Sequence, residues 1–151
     1  MQWKPNVTVA AIAEQDNYFL VVEEDANSHI VFNQPAGHLE KNETLISAVK
    51  REVLEETAWD FEPESIVGIY MYPDPHSDII YLRVCFYGKC KKQYPEKKLD
   101  DGIIRAVWLS REELENNKDM MRSPMVLNCI DDYLAGKKYP LDLLNYYLPD
   151  H

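Results

Sequence analysis

Residues 43–57, Glu-Thr-Leu-Ile-Ser-Ala-Val-Lys-Arg-Glu-Val-Leu-Glu-Glu-Thr, carry the periodicity of an amphipathic helix, and that helix limits what can surround it. With Leu45 at zero on a wheel of about 100° per residue, Val49 falls at about 40°, Val53 at about 80°, Ile46 at about 100° and Ala48 at about 300°. These positions make one apolar arc that must be covered by another layer. Glu52, at about 340°, and Glu56, at about 20°, lie inside the arc, while Glu55, at about 280°, lies on its edge. Burying carboxylates together is costly unless something positive compensates. Arg51, at about 240°, can reach Glu55 four residues on, but one guanidinium cannot serve three acids. A hard cation such as Mg²⁺, which prefers oxygen ligands and leaves positions for water and phosphate, is the natural partner. The competing reading is that the three glutamates fray into solvent at the helix end.

The segments around this helix predict an α+β chain. Val7–Ala13 reads as a buried strand, Asp16-Asn17 as a turn, and Tyr18–Val22 as the hairpin partner of the first strand. Ile30–Phe32 is a further short strand. Asn33–Gly37 reads as a loop, because Pro35 and Gly37 interrupt both ladder and helix. Asn42 is the expected N-cap, with Glu43 in the first turn at the positive end of the helix dipole. Strands are expected at Ser65–Tyr72, Ile79–Tyr87 and Ile103–Leu109, with a turn-rich loop at 73–78 and a polar stretch at 89–101. Ser110-Arg111-Glu112-Glu113 has capping-box spacing; Ser123-Pro124 opens a last helix that Gly136 closes. The irregular order of elements predicts a mixed sheet with helices on its faces.

With 151 residues and no repeat or linker, the chain is expected to form a single domain over 1–151. Its formal net charge of -10 argues against duplex nucleic acid as a partner, since that binding relies on Lys and Arg. The short basic runs at 89–92, 97–98 and 137–138 read as solvated loop charge. No apolar run approaches the ~20 residues that span a bilayer, and Met1–Pro5 has no signal-peptide pattern, so the expected location is the cytoplasm. Cys85, Cys90 and Cys129 include no C-x-x-C, and His29, His38, His76 and His151 form no spaced pair, so zinc is not expected. Nothing requires more than a monomer.

The run from Gly37 to Glu56 adds a specific spacing: Gly37, five residues, Glu43, seven residues, then Arg51-Glu52-Val53-Leu54-Glu55-Glu56. This resembles the Nudix box of the Nudix hydrolases. Softer matches at 4–10, 19–24, 33–40, 122–124 and 139–141 are similar to the NudJ-type branch of that family. The resemblance implies an α/β/α sandwich and hydrolysis of phosphoric anhydrides with Mg²⁺ or Mn²⁺. By position it makes Glu52 and Glu56 the principal metal ligands, with Glu55 joining them or activating water. The Gly37 carbonyl would complete the metal shell, Arg51 would orient the glutamates, and Glu43 would support the loop before the helix. It implies small-molecule substrates: nucleoside tri- and diphosphates, and hydroxymethylpyrimidine pyrophosphate, a thiamine precursor. Two positions depart from the pattern. Ala58 stands where a glycine is expected after the helix, and Gly102 stands six residues before Trp108, where many members carry an acid. Asp100 and Asp101, just upstream, are candidate substitutes; otherwise Glu52 or Glu55 is left as the base.

Substrate contacts are less strongly encoded. Arg83, a charge in an apolar strand run, is expected to face the cleft or a carboxylate. Arg122, beside a helix N-terminus, is a candidate phosphate ligand. For both the alternative is a structural salt bridge. Trp3, Trp59, Tyr70 and Tyr72 could stack a ring or pack as core and edge. A nucleotide- or metabolite-binding module without catalysis is the alternative function; the intact set of box acids favours an enzyme.

Overall fold

The computed structural model describes residues 2–147; Met1 and residues 148–151, His151 among them, lie outside the described residues. Seven strands form a mixed sheet in two wings: β1 (Asn6–Gln15), β2 (Tyr18–Ala26), β3 (His29–Asn33), β4 (Ala36–His38), β5 (Trp59–Pro73), β6 (Ile80–Gln93) and β7 (Ile103–Ser110). In one wing β1 runs antiparallel to β4 and parallel to β6, and β6 pairs with β5. In the other, β2 lies between β3 and β7. The Asp16-Asn17 hairpin joins the wings through only two register pairs, Glu14↔Phe19 and Gln15↔Tyr18. Beyond them β1 and β2 part, and the space between the wings opens as a cleft.

β1 explains why its sequence is small and β-branched throughout. Val9, Ala11 and Ala13 join one buried cluster with Ala48, Val49 and Val53 of α1 (Leu45–Thr57). Ala10 and Ile12 join a second cluster, with Leu114 of α2 (Arg111–Asn116) and Cys129 and Ile130 of α3 (Met125–Leu134). A strand covered on both faces cannot alternate apolar with polar residues. Helices therefore lie on both sides of the sheet, giving the expected α/β/α arrangement. Among the described residues, no helix is long and apolar enough to cross a membrane.

Three boundaries differ from the sequence expectations. Thr44, not Asn42, caps α1: its hydroxyl accepts the Ser47 N–H at 3.0 Å, and Ser47 Oγ accepts the Thr44 N–H at 3.0 Å. Asn42 instead adopts a left-handed conformation (φ 69°) that suits Asn and turns the chain into the helix. Glu43 consequently lies before the helix. The loop expected at 33–37 contains the start of β4, because ladder pairing needs only backbone groups. Gly37 faces Val9, and the Pro35 carbonyl accepts the Ala11 N–H at 3.0 Å. β5 and β6 are longer than expected, β6 continuing into the polar stretch to Gln93, since their outer halves pair across three bulges.

At the other end of α1, Ala58 occupies the left-handed position (φ 63°) and donates its N–H to the Leu54 carbonyl at 3.0 Å. The turn that a glycine would make is thus kept by an alanine, against a steric cost of roughly 1–2 kcal/mol. Ala58→Gly is expected to raise the melting temperature by up to about 2 °C, as relief of roughly 1–2 kcal/mol of strain only partly exceeds the lost methyl burial. A lower melting temperature in thermal denaturation would show that the buried methyl dominates.

Candidate active site

The C-terminal half of α1 meets β4 at the floor of a cleft of about 780 Å³ between the two wings. Glu52 and Glu56 are buried on the helix face that carries Ala48, Val49 and Val53, among the core-facing residues. Gly37 makes room for the first of them. A Cβ at this position would overlap the Glu52 carboxylate, so the carboxylate lies directly on the Gly37 backbone. Glu56 Oε1 accepts the Ala36 N–H at 3.0 Å, so adjacent β4 residues position both acids.

Arg51 ties Glu52 to Glu55 and Glu43. Its Nη1 donates to Glu52 Oε1 and to Glu55 Oε1, each at 2.7 Å. Its Nε donates to Glu43 Oε2 at 2.6 Å, and its Nη2 donates to Glu43 Oε1 at 3.0 Å and to the His38 carbonyl at 3.1 Å. Glu43 Oε1 also accepts the Glu40 N–H at 2.9 Å. One guanidinium thus ties the loop before α1 to the acids near its end.

The loop before β7 closes the cluster. The Asp100 N–H donates to the Glu55 carbonyl at 3.0 Å, which brings Asp100 to the helix end. Glu52, Glu55 and Asp100 each present a carboxylate oxygen within 4.8 Å of the others. Three converging oxygens, beside a backbone cradle that only glycine leaves open, suit a hard divalent cation. Asp101 also lines the cleft but lies outside this cluster.

The acids are electrostatically strained. Burial raises Glu56 to about 9, against the opposing Ala36 N–H and with the nearby charges of Glu52 and Glu24 adding to the rise. Burial also raises Glu52, opposed by Arg51. Asp100 is raised by burial and then by Glu55. Glu43 is lowered, chiefly by its hydrogen bond from Arg51. The cluster has more negative charge than Arg51 neutralises.

Arg83 and Arg122, grouped as candidate substrate contacts on sequence, have different surroundings. Arg122 Nη1 lies 2.5 Å from Glu24 Oε2, in an ion pair at the cleft edge. Arg83 is buried and donates to Gln34 Oε1 at 2.8 Å and Asn33 Oδ1 at 3.4 Å, both neutral. Of the four aromatic candidates, Tyr72 lines the cleft, across the sheet from Tyr81, which sequence reading missed. Trp59 packs edge-on against Trp108, Tyr70 donates to Asp132, and Trp3 is exposed near Asp78. Glu24 was also missed: it sits in the acidic run Glu23-Glu24-Asp25, yet it is buried in the cleft on β2, between Val31 of β3 and Ile103 of β7.

The NUDIX domain model matches residues 3–127. Phosphatase NudJ of Escherichia coli strain K12 is 37% identical over 142 residues, which cover 94% of this chain and 92% of that protein. A solved NUDIX hydrolase from Nitrosomonas europaea is 51% identical with a TM-score of 0.94, covering 95% of this chain and 98% of its own. The E. coli ORF135 protein, at 20% identity and a TM-score of 0.70 over 87% of this chain and 90% of that one, shares the fold. The chain belongs to the Nudix hydrolase family and is similar to the NudJ phosphatases.

Proposed function

We propose that this protein is a Mg²⁺-dependent phosphatase, also served by Mn²⁺, that releases phosphate from nucleoside tri- and diphosphates. Hydroxymethylpyrimidine pyrophosphate is included as a further substrate on the strength of the likeness to Phosphatase NudJ. A monomer working in the cytoplasm is part of the same reading. The observation that carries it is the acid cluster at the cleft floor, where Glu52, Glu55 and Asp100 converge beside buried Glu56, with Arg51 bonded to Glu52 and Glu55 and Lys97 near Asp100.

Glu52, Glu55 and Glu56, with the Gly37 carbonyl, would hold the cation, and Asp100 stands close enough to contribute. When bound, the cation neutralises phosphate oxygens and makes water more acidic. The side chains supply positioning and proton transfer. The Ala36 N–H fixes Glu56, the Gly37 backbone fixes Glu52, and Arg51 restrains Glu52 and Glu55. Glu55, half-buried and beside Asp100, would either join these ligands or accept the proton of the attacking water, with Glu52 the other candidate base. A cleft of about 780 Å³ lies within the usual range for small-molecule sites.

In a panel of nucleoside triphosphates, diphosphates and hydroxymethylpyrimidine pyrophosphate, phosphate release should require Mg²⁺. Glu56→Gln should keep the circular dichroism spectrum and lose nearly all turnover, by about 10³-fold or more on the scale of a lost electrostatic group. Normal turnover of that variant at saturating Mg²⁺ would sink the assignment. Gly37→Ala tests the cradle. Its methyl group displaces the Glu52 carboxylate, so Mg²⁺ affinity measured by calorimetry should fall at least tenfold; an unchanged affinity refutes the contact.

The raised Glu56 also sets a pH dependence. Between its ordinary value of 4.5 and about 9, the folded metal-free chain binds more protons at Glu56 than the unfolded chain does. The metal-free fold therefore loses stability at this site as pH rises through that window. A cation that requires the carboxylate form must displace the proton at low pH and meets less competition at high pH. The gain in melting temperature on adding Mg²⁺ should accordingly be larger at pH 8.5 than at pH 6. An equal or smaller gain contradicts the account.

A further inference from the structure

We infer that Arg83 is the anion-binding half of the cleft, receiving the phosphate of the substrate that is not held at the acid cluster. The inference rests on the metal-phosphatase reading above and adds to it a residue and the chemical group it recognises.

Burial of an arginine normally requires a carboxylate, because an unpaired charge in a low-dielectric setting is costly. Arg83 is 8% exposed, yet among the described residues no carboxylate pairs with it. Its acceptors are two amide oxygens, and it also lies beside the Cys129 thiol. The amide arrangement is fixed: Gln34 Nε2 donates to the Val126 carbonyl at 2.8 Å, which leaves Gln34 Oε1 turned to the guanidinium. These neutral acceptors orient the planar fork without neutralising it.

Strand register gives the direction. Thr8 of β1 pairs with His38 of β4 on one side and Arg83 of β6 on the other. Side chains opposite one another in register project from the same face of the sheet. All three line the cleft that also holds Glu52 and Glu56. Two strand spacings, roughly 10 Å, separate the backbones of His38 and Arg83. The acid cluster stands at the β4 side of the row and the guanidinium at the β6 side. A molecule with two or more linked phosphates carries the charge to engage a cation at the acids and the guanidinium together.

Arg122 is a poorer candidate despite its greater exposure, since Glu24 already neutralises it. A guanidinium offers a bidentate contact to phosphate that an ammonium cannot reproduce, which allows a graded test.

The test is calorimetric titration of the Mg²⁺-loaded protein with methylenediphosphonate, a non-hydrolysable diphosphate, in the wild type, Arg83→Lys and Arg83→Gln, each also titrated with Mg²⁺ alone. Arg83→Gln should weaken diphosphonate binding roughly 10- to 100-fold and Arg83→Lys by a smaller factor, as expected for loss of a charge-assisted hydrogen-bonded pair. Mg²⁺ affinity should stay within about twofold in both variants, since Arg83 makes no contact with the acids. Wild-type diphosphonate affinity in Arg83→Gln overturns the inference. If that variant does not fold, the lysine variant decides: binding equal to wild type overturns the inference, and weakened binding with intact Mg²⁺ affinity supports it. Failure of the wild type to bind Mg²⁺ at all would instead overturn the metal-phosphatase reading.

Discussion

The site depends on Arg51. Glu43, Glu52 and Glu55 come from the loop before α1 and from its last turns, and without a shared cation they would repel one another. The guanidinium meets all three at 2.7 Å or closer. It is also tied to β4 through the His38 carbonyl. Planarity matters, because a single ammonium could not serve acids arranged around two edges of a fork. Their mutual attraction raises Arg51 well above its ordinary value, led by the hydrogen bond to Glu43. The pairing does not complete the site, because Glu56 lies beyond the reach of Arg51 and is held by a backbone N–H alone. The fold therefore leaves uncompensated acid where a cation would be useful.

Helical periodicity made the acid-bearing face readable in advance. At about 3.6 residues per turn, Glu52 and Glu56 must share a side with Val49 and Val53, and both are buried there. Helix boundaries were less readable because capping competes locally. Asn42, Glu43 and Thr44 can all begin a helix, and the reciprocal Thr44–Ser47 bonds decide for Thr44. That shift frees Glu43 from the dipole role expected of it and gives its carboxylate to Arg51. β4 was not readable, since a three-residue strand flanked by Pro35 has no period to detect.

Long-range partners were the least legible part. Arg83 could be singled out as a charge in an apolar run, but nothing local identifies Gln34 and Asn33 as its acceptors, 49 and 50 residues away. Arg122 and Glu24 are 98 residues apart and meet because β3 bridges to the segment before α3, where Arg122 donates its N–H to the Phe32 carbonyl. Asp100 could be suspected only from its distance to Trp108. Its approach to the glutamates follows from one backbone bond to Glu55.

The same backbone logic explains why opposite charges in one cleft remain apart. Glu56 and Arg83 are both buried, and a direct pair between them would lower the cost of each. Instead β1 lies between their supporting strands, and each is held by neutral groups: an amide N–H for the acid, amide oxygens for the arginine. That keeps the acid cluster and the Arg83 guanidinium at separate places in one cleft. A cation with a polyphosphate chain can discharge both, whereas either partner alone leaves one charge uncompensated. In the proposed function, the acid cluster and Arg83 serve the two ends of a ligand of mixed sign, and the separation set by β1 is part of its recognition.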